Sequence, residues 1–356
     1  GGCKDRRIYS IENNVIVQKR LVNVDGSVIF LGREEQLGRL KDLLNRRKDG
    51  WTADKGDNSL FVVSNSQGQG KSVFLAMSGK LLSEEDGGSL QGAAVLPFTY
   101  NSGMGQHVHG VSMEAAVMLR AIYGGLMSSE RVEGCVQGVE WPHFVASVQL
   151  EMEGVVGLEK LTLTQWLEAA RELMGVSRDA NGSSQLLLLA DEVVKVKAAE
   201  GMGRGKEQNA VEVYSVLGDV LECSAFNSVL ISSLSPAYAR DKVTKESKRD
   251  IETAGLTMNP IDMFISSTQD VLFRLATSTH LFAAESPTQQ RQRIFNLVLC
   301  LSGGHPRAIE RIIDKLQDST EWWDEKDWKA LFRECVALLS RDSVAPFSMP
   351  SRALLE

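Results

Sequence analysis

The stretch LFVVS-NSQGQGKS-VFLAMSGKLL, residues 60–82, carries three local signals in a row. LFVVS (60–64) is a short, uniformly apolar run of the kind that forms a buried parallel strand. SQGQGKS (66–72) is a Gly-rich turn closing on Lys-Ser, and the segment after it is helical in pattern. Strand, Gly-rich turn, Lys-Ser and helix is the order a phosphate-binding loop requires. The backbone N–H groups of Gly68, Gln69, Gly70, Lys71, Ser72 and Val73 would converge on phosphate oxygens at the positive end of the helix. Gly68 and Gly70 fall where a side chain would obstruct the turn or the ligand. Lys71 would add a point charge on the β- and γ-phosphates, and the Ser72 hydroxyl would bind Mg²⁺. The pattern G-x-x-x-x-G-K-[ST] is met except at its first position, which is Asn65. Asn tolerates left-handed backbone better than any residue except Gly, so the loop can form, with nucleotide binding a safer expectation than vigorous hydrolysis.

A second apolar run, LLLLADE (186–192), ends in two carboxylates, and Asp191 follows Lys71 by 120 residues (191 − 71). Asp191 at the strand end would orient Mg²⁺, which keeps most of its waters and takes few protein carboxylates. Glu192 would position and polarise an attacking water. An apolar run ending in acids is by itself only a strand capped by solvated side chains; its order after the loop gives it the catalytic reading. SVLISSLS (228–235) is a further buried strand that ends in hydroxyls. In SGGHPRAIERI (302–312), a Gly-Gly turn precedes a helix opening at Pro306, with Arg307 in its first turn. A cation there opposes the helix dipole and so points to an external anion such as phosphate; an exposed Arg at an ordinary helix start is the competing reading.

Together these segments resemble the AAA+ and STAND branch of P-loop ATPases. FLGREEQLGRLKDLL (30–44) resembles the F-x-G-R-E-x-E-L segment that opens those modules, NSQGQGKS and LLLLADE resemble their Walker A and Walker B motifs, and GGHPRAIE resembles their lid or second-sensor motif. The resemblance implies adenine contacts at Ile29, Phe30 and Leu31, with Arg33 and Glu34 nearby, and a nucleotide-facing role for His305, Pro306 and Arg307. It also implies ATP or ADP with Mg²⁺ as ligands. In such ATPases the strand between the two motifs often presents a polar residue to the γ-phosphate, a part open here to Ser232 or Ser233, although buried serines also simply bond to local backbone. Arg240 and Arg249 read as arginine fingers for a neighbouring subunit or, more simply, as solvated surface cations. More narrowly, GQGKS, TYNSG (99–103) and SGGHPRAIE are similar to the ATPase domain of Crinkler effectors and retrotransposon hot spot proteins, which implies fusion to an effector domain.

Outward from these motifs, strands alternate with helices to about residue 260 and helical patterns dominate afterwards. The expected fold is α/β: a P-loop NTPase three-layer α/β/α sandwich with a mainly parallel sheet, followed by a small helical lid domain. The expected division is an extended arm or short strands over 1–27, the core over 28–260, the lid over 261–341 and a tail over 342–356. Helices are predicted at 33–47, 113–127, 163–173, 211–223, 269–277, 287–301, 306–317 and 326–340, and strands at 60–64, 93–101, 186–190 and 228–234. Residues 129–160 lack a clear pattern, and the Gly- and Lys-rich stretch 196–209 reads as a loop.

Composition narrows the partners. The 356 residues are 43% apolar and 24% charged with net charge −7, an ordinary globular balance without a general basic field for nucleic acid or an anionic membrane. Overall charge does not indicate nucleic acid, which a fused domain or a local basic patch could still bind; nucleotide, further copies of the chain or a protein client are the expected partners. Five scattered cysteines without a C-x-x-C pair argue against disulfide frameworks and zinc, and fit an intracellular setting, cytoplasmic or nuclear. Cys223 and Cys300, in apolar helices, read as buried thiols. His107 and His109 lack further ligands at metal spacing. No run approaches the ~20 apolar residues of a membrane span, and no apolar h-region follows GGCKDRR (1–7).

Three activities remain compatible with the motifs: ATP hydrolysis coupled to lid movement, a slow nucleotide switch, and a small-molecule kinase. The adjacent Asp191-Glu192 pair favours hydrolysis over kinase chemistry, because a water-activating Glu would waste ATP. The Asn65 departure adds a fourth, a degenerate P-loop scaffold.

Overall fold

The computed structural model describes residues 30–52, 58–64, 68–86, 88, 90–100, 111–129, 139–153, 158–176, 184–193, 206–233, 251–252, 256, 258, 261, 266–277, 295–296, 299–300, 302–318, 333 and 337. The chain divides into two compact units. The first includes Arg33–Ser66 and Lys71–Met258, and the second includes Arg20–Gly32, Gln67–Gly70 and Asn259–Glu356.

The first unit is a parallel α/β sheet. Its described strands are β1 (Leu60–Ser64), β2 (Ala94–Thr99), β3 (Leu186–Asp191), β4 (Asn227–Ser233) and β5 (Ile251–Glu252), and they lie in the order β2-β3-β4-β1-β5. Every neighbouring pair is parallel. β1 to β4 are buried along their whole length, which explains their unbroken apolar sequences. Pro97 lies in β2, at the end of the strand order, where a missing N–H breaks no ladder between two neighbours.

Helices cover both faces of this sheet. They are α1 (Glu34–Asp49), α2 (Lys71–Glu84), α3 (Met113–Met127), α4 (Trp141–Glu153), α5 (Leu163–Leu173) and α6 (Lys206–Cys223). Alternate strand residues Leu60, Val62, Leu96, Phe98, Leu188, Ala190 and Ile231 share one core with α3, α5 and α6. Phe61, Val63, Leu187, Leu189 and Leu230, equally buried, belong to the opposite face by the period of two. The result is the predicted three-layer α/β/α arrangement with a parallel sheet.

Local signals place the helices. α5 buries Leu163, Trp166, Leu167 and Ala170, the i, i+3, i+4, i+7 stripe. Its start is fixed by a capping box, in which the Gln165 N–H donates to Thr162 Oγ1 at 3.3 Å and the Thr162 N–H donates to Gln165 Oε1 at 2.8 Å. Ser112 caps α3 by accepting from the Ala115 N–H at 3.2 Å. α1 carries Glu34 and Glu35 in its first turn and Arg46, Arg47 and Lys48 in its last, matching its dipole.

Three expectations differ from the structure. Residues 141–153, within the stretch read as unpatterned, form α4, which buries Trp141 and Val145 but leaves Leu150 71% exposed, so its apolar stripe is blurred. α6 starts at Lys206, inside the stretch read as a loop. Cys223, the last residue of α6, and Cys300 are exposed rather than buried.

The second unit contains α7 (Ser266–Thr277) and α8 (Pro306–Asp318). Ala308, Ile309, Ile312, Ile313 and Leu316 form the buried stripe of α8. Phe273 and Phe295 meet edge to face with centroids 5.1 Å apart. The arm over 1–27, the predicted helix at 326–340 except for residues 333 and 337, the tail, Asn65, His107, His109, Arg240 and Arg249 lie outside the described residues. Among the described residues, no helix is long and apolar enough to cross a membrane, and no cluster of three or more His, Cys, Asp or Glu could hold a metal ion.

Candidate active site

In the first unit, the sheet order brings the predicted chemistry to one edge. β4 lies between β1 and β3, so the start of α2, the end of β3 and the end of β4 are neighbours at the C-terminal ends of the strands. This is where open α/β sheets bind ligands. α2 starts at Lys71, and its own first turn contains no acidic residue. Lys71 is buried, at 7% exposure.

Ser72 and Asp191 meet directly: Ser72 Oγ donates to Asp191 Oδ2 at 2.9 Å. Ser232, from β4, donates its hydroxyl to the other carboxylate oxygen, Oδ1. The backbone carbonyl of Asp191 accepts from the Tyr100 N–H at 3.3 Å, since Thr99 pairs with Asp191 in the β2–β3 ladder. Asp191 is thus held at three oxygens while only 2% exposed. Burial pushes its carboxyl up to about 6, and Glu192 adds to the rise, while the Ser232 and Ser72 hydroxyls and the Lys71 charge counteract it.

Glu192 has φ +52°, the one non-Gly residue with positive φ among the described residues. A non-Gly residue in that region costs on the order of 1–3 kcal/mol and persists only where its surroundings impose it. Here the Glu192 N–H donates to Ser232 Oγ at 3.1 Å. Ser232 therefore touches both members of the acidic pair.

The hard oxygens of Ser72 and Asp191 are the donor types Mg²⁺ takes, and two protein ligands leave room for the waters and phosphate oxygens it keeps. The pair fits a Mg²⁺ site on that ground.

In the second unit, Gly68 and Gly70 have φ of +81° and +80°. A Cβ on Gly68 would lie 2.6 Å from His305 Cε1 and 3.2 Å from Arg307 Cβ, and one on Gly70 would lie 3.6 Å from Pro306 Cγ. The Arg307 N–H donates to the Gly68 carbonyl at 3.3 Å. The Gly-Gly turn before α8 is as tight: Gly303 and Gly304 have φ of +55° and +73°. A Cβ on Gly304 would fall 2.1 Å from the Ile261 carbonyl oxygen. Pro306 opens α8, His305 is buried and Arg307 is exposed. Gly32, at φ +63°, faces Ile261, whose N–H donates to the Gly304 carbonyl at 2.7 Å. Phe30 and Leu31, just before it, are half-buried. Gln69 is buried and Val73 half-buried, whereas Ile29 lies outside the described residues.

Sequence reasoning missed Tyr100 and Arg120. Arg120 is buried, with its guanidinium 4.9 Å from the Tyr100 ring and 4.8 Å from the Trp141 ring, and Nη1 donates to the Ala116 carbonyl at 3.0 Å. Burial lowers its pKa, and the Tyr100 phenol counteracts this. Burial pushes the Tyr100 phenol up, against the pull of Arg120. The position of Tyr100 directly after β2 is the signal that could have marked it as a neighbour of Asp191.

No family model and no curated protein sequence matches the chain. Among solved structures, it is similar to the Walker-type ATPase PABY2304 of Pyrococcus abyssi, at 11% identity and TM-score 0.47, over 92% of this chain and 80% of that one. It is also similar to PCH-2 of C. elegans, at 11% identity and TM-score 0.45, over 94% of this chain and 74% of that one. A third likeness is to Drosophila ORC bound to DNA, at 14% identity and TM-score 0.42, over 90% of this chain and 69% of that one.

Proposed function

We propose that the chain is a nucleotide-binding P-loop ATPase of the AAA+/STAND branch that hydrolyses ATP to ADP and phosphate with Mg²⁺. The observation that carries the reading is the 2.9 Å contact between Ser72, the second residue of α2, and Asp191, at the end of β3. Two motifs 119 residues apart (191 − 72) meet on hard oxygen donors, as Mg²⁺ and phosphate chemistry requires.

In this reading the N–H groups of residues 68–73 and the Lys71 ammonium bind and orient the phosphates. Ser72 and Asp191 hold Mg²⁺, which when bound would neutralise charge on the β- and γ-phosphate oxygens. The Glu192 carboxylate accepts the proton of the attacking water. Phe30, Leu31 and Ile29 take the adenine side, and Arg307 supplies a cation to the phosphates. The Arg307 N–H to Gly68 carbonyl bond, within the second unit, supports a coupling of the loop to α8.

Steady-state ATPase measurement with Lys71→Ala and Glu192→Gln tests the proposal. Both variants are expected to lose turnover by ~10²-fold or more, with Glu192→Gln still binding nucleotide. Turnover unchanged by Lys71→Ala refutes the site. Tight nucleotide retention without wild-type turnover would favour the slow switch over the hydrolase.

A further inference from the structure

Ser232, the penultimate residue of β4, carries a hydroxyl that the sequence allows to face a phosphate. Its hydrogen bonds describe a different task. The hydroxyl proton goes to Asp191 Oδ1, and the oxygen accepts the Glu192 N–H at 3.1 Å. A serine has a single O–H to donate, so the donor a phosphate would need is committed to the carboxylate. Ser232 is 1% exposed, which leaves it little access to other partners.

The ladder shows where this side chain acts. β3 and β4 pair through Ala190 and Ile231, and the chain then enters the left-handed region at Glu192. At that point the Glu192 N–H donates to a side chain, the Ser232 hydroxyl. On the other side of β3, the ladder to β2 continues through Thr99 and the Tyr100 N–H. Asp191 is thus tied to backbone on one side, and the Ser232 hydroxyl bonds Glu192 on the other.

We infer that Ser232 is a positioning residue: it sets the carboxylate of Asp191 and the left-handed backbone of Glu192, and acts on turnover through Glu192 rather than on the γ-phosphate. This rests on the ATPase reading above, in which Glu192 handles the water. An error of about 1 Å in such a group costs on the order of 10²-fold in rate. Ser232→Thr keeps the hydroxyl and suits a strand position.

The test has two arms. The first needs no nucleotide: residue-resolved hydrogen exchange of the Glu192 amide in the full chain. Ser232→Ala is expected to speed that exchange by about tenfold or more, because it removes the acceptor, while Ser232→Thr stays near wild type. The second arm is kinetic. Ser232→Ala is expected to lower kcat by ~10–100-fold with little change in KM, Ser232→Thr to restore most of it, and Ser232→Ala to add nothing in a Glu192→Gln background. The ratio of Mg²⁺-ATPγS to Mg²⁺-ADP affinity stays unchanged.

Unaltered Glu192 exchange, unaltered kcat, or selective loss of ATPγS affinity in Ser232→Ala would overturn the inference, the last by returning Ser232 to the phosphate. A Lys71→Ala control that keeps full turnover refutes the ATPase reading itself. The exchange arm then still decides whether Ser232 holds the Glu192 amide.

Discussion

Asp191→Asn should make the nucleotide-free protein more stable while abolishing the Mg²⁺-dependent nucleotide binding that the proposed site predicts. Asp191 is 2% exposed, and burial moves its carboxyl from the ordinary 3.8 to about 6. The folded chain therefore holds the proton more tightly than the unfolded chain. The stabilisation this provides is fully present below pH 3.8 and is lost as pH rises through about 6. At about 1.4 kcal/mol per decade, the ionised carboxylate costs the fold roughly 3 kcal/mol at pH 8 relative to a neutral group. An Asn amide carries no charge to bury, but its NH₂ must face a hydroxyl that now donates to Asp191. Allowing about 1 kcal/mol for that mismatch leaves a gain of ~2 kcal/mol. For a unit of this size that is on the order of 4–8 °C. The advantage should shrink by about 2 kcal/mol between pH 8 and pH 4.5, since the wild-type carboxyl is protonated in the folded state at the lower value. Urea denaturation of both proteins at the two pH values measures this double difference, in which the other carboxylates cancel. Mg²⁺-ATPγS should raise the melting temperature of the wild type and fail to raise that of Asp191→Asn. An Asn variant that is less stable than wild type at pH 8, by an amount independent of pH, would refute the reasoning. The burial of Asp191 would then be compensated by its hydroxyl partners, with no stability given up for a metal site.

Gly68→Ala combines φ +81° with a Cβ 2.6 Å from His305 Cε1, so nucleotide affinity should fall by about tenfold or more and stability by roughly 1–3 kcal/mol. Adding His305→Ala should restore part of the stability, since it relieves the contact but not the φ; fluorescent ADP titration and thermal melting read the two effects. Leu188→Ala, in fully buried β3, should cost about 2–5 kcal/mol in urea denaturation. Thr162→Ala should lose about 1 kcal/mol by opening the α5 capping box, and Thr162→Ser should retain most of it.

The sheet was legible because both its faces are covered. LFVVS, LLLLA and SVLIS are unbroken apolar runs that admit few alternatives between turn signals, and the structure begins and ends those strands within a residue of the prediction. α5 was equally plain, because its buried stripe and its cap fall on consecutive sequence signals. α4 escaped because it buries Trp141 and Val145 while exposing Leu150, so its apolar residues do not share one face. The thiols of Cys223 and Cys300 are exposed although their surrounding sequences are apolar, and Cys223 is the last residue of its helix.

The candidate site shows where sequence logic stops. Motif order can bring the start of α2 with Ser72 and the end of β3 with Asp191 to the same edge of a parallel sheet, because parallel connections follow simple rules. It does not reveal which oxygen accepts which proton. Read along the chain, Ser232, Ser233 and Ser235 are interchangeable hydroxyls after a buried strand. Only the pairing of β3 with β4, and the left-handed turn at Glu192, sets Ser232 apart. A left-handed Glu has no compositional mark, since Gly or Asn would be the expected residue there. That mismatch is informative: Gly would adopt the turn without strain, but it would carry no carboxylate. In the proposed ATPase, a strained Glu held by a neighbouring hydroxyl would be the water-activating group at that turn, and local stability would be traded for chemistry at the Glu192–Ser232 contact.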